Sequence, residues 1–240
     1  MSGRCGNRAG AFLRYSKACQ RLIINKNGRK ISLINPKTKK IELKMGVSFG
    51  EQIFDFRVFR EEKEQRVAAL TENGFIAVYS LGCGQKRGEI SHLQLELNEE
   101  ERERPVSLAV SCTKKKLVYV LVELQAVGFR SKMKLFKITK KGLIIIAGIE
   151  HCCRKIGSKL ALEFLSDFGS HLLWVGLSSR KKGVAIVIDF NTETGELKRL
   201  GYAGGRSREK YPYKMVRFGD KLYYTGKYGR VVSLSLNLKS

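Results

Sequence analysis

Histidine is scarce in this chain. Only His92, His151 and His171 occur among its 240 residues, so a general base or a nitrogen-ligated metal has three side chains to draw on. None of the six cysteines (Cys5, Cys19, Cys83, Cys112, Cys152, Cys153) is spaced as Cys-x-x-Cys from another, and the N-terminus lacks the apolar core of a secretory signal. Both absences point to a reducing compartment and away from a disulfide-built secreted domain. No apolar run approaches the roughly eighteen residues needed to cross a bilayer; the longest is LIIIAGI at 143–149. A soluble chain with no membrane partner is expected.

Acidic residues are also short. Against 46 Lys and Arg stand 22 Asp and Glu, a net charge of +24. Such an excess disfavours the compact state unless a polyanion or an acidic protein is close by, so nucleic acid is the first partner to consider. The charge is uneven. Residues 1–50 carry twelve basic and one acidic residue, a net +11, whereas residues 51–100 carry six and ten, a net −4. One sector should attract phosphate and present its neighbour to a protein. The first 41 residues, with eleven basic and no acidic side chains, meet part of the description of a mitochondrial presequence. The glycines at 3, 6, 10 and 28 and the strand-like RLIIN at 21 argue against an amphipathic helix there. Nucleus or cytoplasm is expected, with the mitochondrion as the minority reading.

What is present is a repeat. With 43% hydrophobic residues the chain has enough apolar surface for a core, and that surface is laid out in short runs headed by a basic residue: RLIIN at 21, RVAAL at 66, KLVYV at 116, HLLWV at 171 and KLYYT at 221. After each comes a turn and a second alternating segment. Counting from Gly28, Gly74, Ser131, Gly183 and Gly229, the third, fifth and seventh residues onward are Ile31-Leu33-Asn35, Ala77-Tyr79-Leu81, Lys134-Phe136-Ile138, Ile186-Ile188-Phe190 and Val232-Leu234-Leu236. Only Asn35 and Lys134 break the apolar series, and period-two alternation of this kind reads as strand. Another strand precedes each run (AFLRYS, FDFRVF, VSLAVS, LALEFL, YKMVRF), and a fourth follows the first four copies (KKIELKM, ISHLQLEL, GLIIIAGI, GELKRLGY). Each unit is thus four consecutive antiparallel strands in about fifty residues, the size of a propeller blade. In this scheme NGRKISLINPKTKKIELKM at 27–45 is a hairpin of third and fourth strands, with Pro36 in the turn and lysines on display.

The order strand, polar turn, strand, Gly-containing turn, strand, NTETG-like turn, strand resembles a WD40-type β-propeller, above all in VIDFNTETGELKRL (187–200) and FGDKLYYTGKYGRVVSL (218–234). The resemblance covers nearly the whole chain and is one of architecture. The Gly-His and Trp-Asp dipeptides of that family are missing, and Trp174 lies in a second strand. It implies an all-β, β-propeller-like array of about five four-stranded antiparallel blades, the last one incomplete. Residues 1–10 are expected to be a flexible basic segment and 11–240 a single domain, with blades at roughly 11–50, 51–104, 105–150, 159–205 and 211–240. The fifth copy stops after its third strand, which predicts an open edge.

No catalytic, cofactor or metal site emerges. His171 occupies the basic start of a second strand, and His92 lies beside a strand pattern. HCC at 151–153 has no second pair at structural-zinc spacing. GCGQKRG (82–88) lacks the helix of a dinucleotide fingerprint, and GYAGGRSREK (201–210) lacks the Gly-Lys-Ser/Thr of a phosphate loop, so both read as connections. Glu61-Glu62 and Glu99 to Glu103 read as solvated charge.

Antiparallel geometry sends first-to-second and third-to-fourth turns to one rim. Lys37, Lys39, Lys40, Lys114, Lys115, Lys140 and Lys141 are therefore expected together, with Lys86 and Arg87. Arg180, Lys181, Lys182, Arg206, Arg208 and Lys210 are expected on the opposite rim. The function this supports is a non-catalytic scaffold in a ribonucleoprotein or other nucleic-acid-containing assembly, binding protein subunits and RNA through basic rims. The alternative is a protein–protein adaptor completed by a partner strand, with no nucleic acid bound.

Overall fold

The computed structural model describes residues 12–16, 20–25, 28–46, 52–61, 64–81, 89–113, 115–126, 131–139, 141–151, 160–178, 185–203, 214–218, 221–225 and 231–235. Among them every regular element is a strand. The first sheet comprises β1 (Phe12–Ser16), β2 (Arg21–Asn25), β3 (Lys30–Ile34) and β4 (Ile41–Gly46), and the second β5 (Ile53–Glu61), β6 (Glu64–Thr71), β7 (Phe75–Ser80) and β8 (Glu89–Gln94). The third holds β9 (Arg104–Cys112), β10 (Val118–Gln125), β11 (Ser131–Thr139) and β12 (Gly142–His151). The fourth holds β13 (Leu160–Phe168), β14 (His171–Ser178), β15 (Ala185–Asn191) and β16 (Leu197–Ala203), and the fifth β17 (Lys214–Phe218), β18 (Lys221–Thr225) and β19 (Val231–Ser235). Each sheet is an antiparallel meander in chain order. Every run headed by a basic residue lies in or leads into a second strand, and among the described residues the last sheet has three strands. Residues 66–70 lie in β6 and residues 185–190 in β15.

The chain divides into two compact units, Met1–Gln94 and Leu95–Ser240. In the first, β1 and β5 are neighbours, and Ile23, Ile31, Leu33, Ile53, Phe56, Val67, Ala69, Ala77, Tyr79 and Leu81 form one buried cluster between the two sheets. In the second, β13 lies beside both β9 and β17. The third and fourth sheets close on a cluster that includes Tyr119, Leu121, Met133, Leu135, Trp174, Ile188 and Phe190. Within each unit, then, first strands of consecutive sheets gather and the sheets pack face to face.

The third copy buries both faces of its third strand. The alternating set Lys134-Phe136-Ile138 lies in β11 as a strand, and Met133 and Leu135, between its members, join the cluster shared with the fourth sheet. Phe136 is buried on the opposite face. Sheets covered on both sides make alternation ambiguous, and all eight residues of β10 are buried.

Among the described residues register breaks fall on outer strands. The pairings of second with third strands run unbroken, whereas each of the four fourth strands carries one extra residue: Glu42, Ile90, Ile146 and Leu200. Three first strands do the same at Phe54, Val106 and Leu165. Bulges of this kind bend and twist an edge, which discourages pairing with another chain.

Candidate basic turn surface

The turn at 35–40 is built around Asn35. Its Oδ1 accepts the N–H groups of Lys37 (3.0 Å) and Thr38 (3.3 Å), while its backbone carbonyl accepts the N–H of Lys39 (2.8 Å) and its own N–H donates to the Lys40 carbonyl (3.0 Å). The Thr38 hydroxyl accepts from the Lys40 N–H (3.4 Å), and Asn35 Nδ2 donates to Glu42 Oε1 in the bulged strand (3.0 Å). Pro36 fits because no donor is needed there. The result is a rigid loop on which Lys37, Lys39 and Lys40 are all exposed.

The fourth sheet contains the same turn with other charges. Asn191 Oδ1 accepts from Glu193 (2.9 Å) and Thr194 (3.2 Å), and Glu196 N–H donates to the Thr194 hydroxyl (3.3 Å). Gly195 N–H donates to the Asn191 carbonyl and Asn191 N–H to the Glu196 carbonyl, both at 2.9 Å. Position by position, Lys37, Lys39 and Lys40 correspond to Glu193, Gly195 and Glu196. Gly195 has φ 72° and Lys39 has φ 57°. The turn demands a left-handed residue at this point, and a side chain there costs about 1–2 kcal/mol. Lysine stands where glycine is the unstrained choice.

The third sheet repeats this substitution. In the turn at 113–117, Thr113 N–H donates to the Leu117 carbonyl (2.9 Å) and Lys116 N–H to the Thr113 carbonyl (2.9 Å), and the Thr113 hydroxyl accepts from Leu117 N–H (3.1 Å). Lys116 has φ 63°. At the next turn the Thr139 hydroxyl accepts from Lys141 N–H (3.2 Å) and donates to the Gly142 carbonyl (2.9 Å). Cys112, Val118, Ile138 and Leu143 form one cross-strand row, so both turns leave the same end of the sheet. Lys115, Lys116 and Lys141 are exposed there. The Tyr119 and Phe190 rings, each near a turn, lie 5.7 Å apart between centroids. The lysine-bearing end of the third sheet therefore adjoins the glutamate-bearing end of the fourth.

Of the other expected site residues, Lys86, Arg87, Lys114, Lys140, Arg180, Lys181, Lys182, Arg206, Arg208 and Lys210 lie outside the described residues, as do Cys152 and Cys153. Gly201–Ala203, read from sequence as part of a connection, belong to β16. Among the described residues no group of three or more His, Cys, Asp or Glu is placed to hold a metal. His171 faces Asp189, its Nδ1 lying 2.9 and 3.0 Å from the two carboxylate oxygens. The His92 ring packs edge-on against Phe75 at 4.3 Å.

The reading of Glu99 to Glu103 as solvated charge needs correction at its far end. The Glu103 carboxylate is buried, with the Lys134 ammonium at 3.1 Å and that of Lys132 at 3.6 Å, and Lys132 also binds Glu101 at 2.6 Å. Glu103 Oε2 accepts the Asn98 N–H (3.0 Å), and Lys134 donates to the Glu96 carbonyl (3.1 Å). Burial alone would raise the Glu103 pKa, but the Asn98 hydrogen bond and the two lysines outweigh it and hold the carboxyl below its ordinary value. Lys134, the charged residue that broke the alternation, was the available sign of this clasp.

No protein-family model and no curated protein matches the chain. Solved structures do. The chain is similar to BBS1N, crystallised in complex with ARL6DN, at 14% identity and TM-score 0.55 over 95% of this chain and 65% of that one. It is also similar to the β-propeller domain of Nup133 from Vanderwaltozyma polyspora, at 10% identity and TM-score 0.62 over 94% and 70%. A third structure is the dihydro-heme d1 dehydrogenase NirN in complex with DHE, at 11% identity and TM-score 0.51 over 79% of this chain and 37% of that one. At such identities the likeness establishes the fold, which is all-β and β-propeller-like with a short last sheet, and leaves function to the residues.

Proposed function

We propose that this chain is a non-catalytic scaffold whose basic hairpin turns hold RNA phosphates while other surfaces bind protein subunits. The observation that carries the reading is the placement of Lys39 and Lys116 in the left-handed conformation. Strain of this sort is held by the surrounding structure and clusters at functional sites; Gln20 and Arg102 share the conformation, and at Lys39 and Lys116 it sets a cation at the tip of a hydrogen-bonded turn. Lys37 and Lys40 flank Lys39 on one turn, and Lys115 and Lys141 accompany Lys116 at the end of the third sheet. Phosphate contacts of this type carry little sequence information and weaken steeply with salt.

A filter-binding titration with single-stranded RNA at several salt concentrations tests the proposal. The expected plot of log affinity against log salt is linear, with a slope of about −0.7 for each phosphate neutralised. Absence of binding, or affinity that ignores salt between about 50 and 200 mM, overturns it. A second reading, an adaptor completed by a partner strand without nucleic acid, draws on the three-stranded fifth sheet and is favoured if affinity purification recovers the same protein partners with and without nuclease.

A further inference from the structure

The tripeptide Thr-Lys-Lys occurs at 38–40, 113–115 and 139–141, and each copy lies at a hairpin turn of the basic surface. In each, the threonine hydroxyl braces the turn by accepting a backbone N–H, from Lys40 at 3.4 Å, Leu117 at 3.1 Å and Lys141 at 3.2 Å. The hydroxyls differ in how they meet solvent. Thr113 and Thr139 are half-buried, and the Thr139 hydroxyl donates its proton to the Gly142 carbonyl (2.9 Å). Thr38 is exposed, as are its neighbours Pro36, Lys37, Lys39 and Lys40. Among the described residues nothing accepts the Thr38 hydroxyl proton.

That hydroxyl is an oxygen nucleophile at the tip of a hydrogen-bonded turn, with an ammonium-bearing residue on each side. Lys37 precedes it, and Lys39 and Lys40 follow. Side chains must carry any recognition of the turn, because the N–H groups of Lys37, Thr38, Lys39 and Lys40 are all bonded within it. The fourth sheet supplies a contrast. Thr194 takes the place of Thr38 in the same turn, is exposed and accepts the Glu196 N–H at 3.3 Å, but its flanks are Glu193, Gly195 and Glu196. Geometry is shared and charge is reversed, so an enzyme cleft lined with carboxylates attracts one turn and repels the other.

We infer that Thr38 is a phosphorylation site for a serine/threonine kinase selective for basic flanks, and that phosphate there releases the first-sheet turn from RNA. The second half rests on the proposed function; the first does not. In the transfer, Thr38 Oγ1 attacks the γ-phosphorus of ATP, the bond from that phosphorus to the β–γ bridging oxygen breaks, ADP leaves, and the hydroxyl proton passes to the catalytic carboxylate of the kinase. The added phosphate carries about −1.5 to −2 at neutral pH. Set against the ammonium groups of Lys37, Lys39 and Lys40, it leaves the turn roughly one positive charge. An RNA phosphate then meets a like charge at the centre of its binding turn.

Incubation of the full chain with ATP, magnesium and the catalytic domain of protein kinase C, followed by peptide mass spectrometry, tests the site. Phosphate is expected on Thr38 and not on Thr194. An unmodified Thr38, or equal labelling of Thr194, overturns the inference. RNA titrations on the modified chain test the switch, with T38A taken through the same incubation to read the effect of phosphate added elsewhere. Loss of about two phosphate contacts should lower the salt slope by about 1.4 and, at about 0.15 M salt, the affinity roughly ten-fold, a drop that T38A does not share. No drop, or one that T38A shares in full, overturns the switch. If Thr38 is labelled but the chain binds no RNA even before treatment, the turn proposal fails and the phosphorylation site stands.

Discussion

Replacing Lys39 with glycine should move stability and RNA affinity in opposite directions. Relief of the left-handed conformation contributes about 1–2 kcal/mol, and the greater freedom of glycine in the unfolded chain takes back about 0.5–1 kcal/mol. The folded chain should gain up to about 1.5 kcal/mol, which for a chain of this size raises the melting temperature by up to roughly 6 °C. Removal of one phosphate contact lowers the salt slope by about 0.7 and, at about 0.15 M salt, the affinity about four-fold. Far-UV circular dichroism melts and RNA titrations on the same preparations read both. The reverse substitution, G195K, inserts a side chain whose Cβ meets nothing within 4 Å, so its cost is conformational and its melting temperature should fall by a similar amount. A K39G variant that melts lower than the native chain, or binds RNA unchanged, refutes the argument that strain is retained for charge.

Further substitutions probe other parts of the molecule. Because the folded pKa of Glu103 is lowered, its contribution is fully present above the unfolded value and is lost as pH falls through the folded one. The stability gap between native and E103Q chains in urea melts should therefore be constant above about pH 5 and shrink below it. Arg57 and Asp55 form a buried ion pair at 2.6 Å; R57M should cost about 3–5 kcal/mol because the buried Asp55 carboxylate loses this cation and keeps the Phe56 N–H as a neutral donor, and D55L/R57M should cost less than R57M alone. Trp174 is fully buried, and its indole N–H has no hydrogen-bond partner among the described residues. W174A should cost about 3–5 kcal/mol, whereas W174F, which also removes a buried unsatisfied donor, should cost less than about 1.5 kcal/mol in calorimetry.

How far the fold was legible depends on where the information lies. Gly28, Gly74 and Gly195 have positive φ and sit in turns that their sequence context already marks, so strand order and the four-strand unit follow from short-range signals. Which face of a strand meets which neighbour does not. In β11 both Leu135 and Phe136 are buried, and only the packing of whole sheets decides that Leu135 faces the fourth. The clasp of Glu103 by Lys132 and Lys134 joins residues about thirty positions apart, so the break in alternation at Lys134 marks one member and cannot name its partner.

The candidate site divides in the same way. That Lys37, Lys39 and Lys40 share a turn is visible in NPKTKK, and that Lys115 and Lys141 leave one end of a sheet follows from antiparallel order. Their distinguishing feature is not visible, because a left-handed residue is inferred from sequence by finding glycine or asparagine, and Lys39 and Lys116 are neither. Only the comparison of two turns with the same hydrogen bonds, one with glycine and one with lysine at the left-handed position, brings the feature out. The same comparison limits the binding surface: Glu193 and Glu196 occupy the fourth-sheet turn on the same scaffold. Within the second unit, phosphate should therefore follow the third sheet and stop at the fourth.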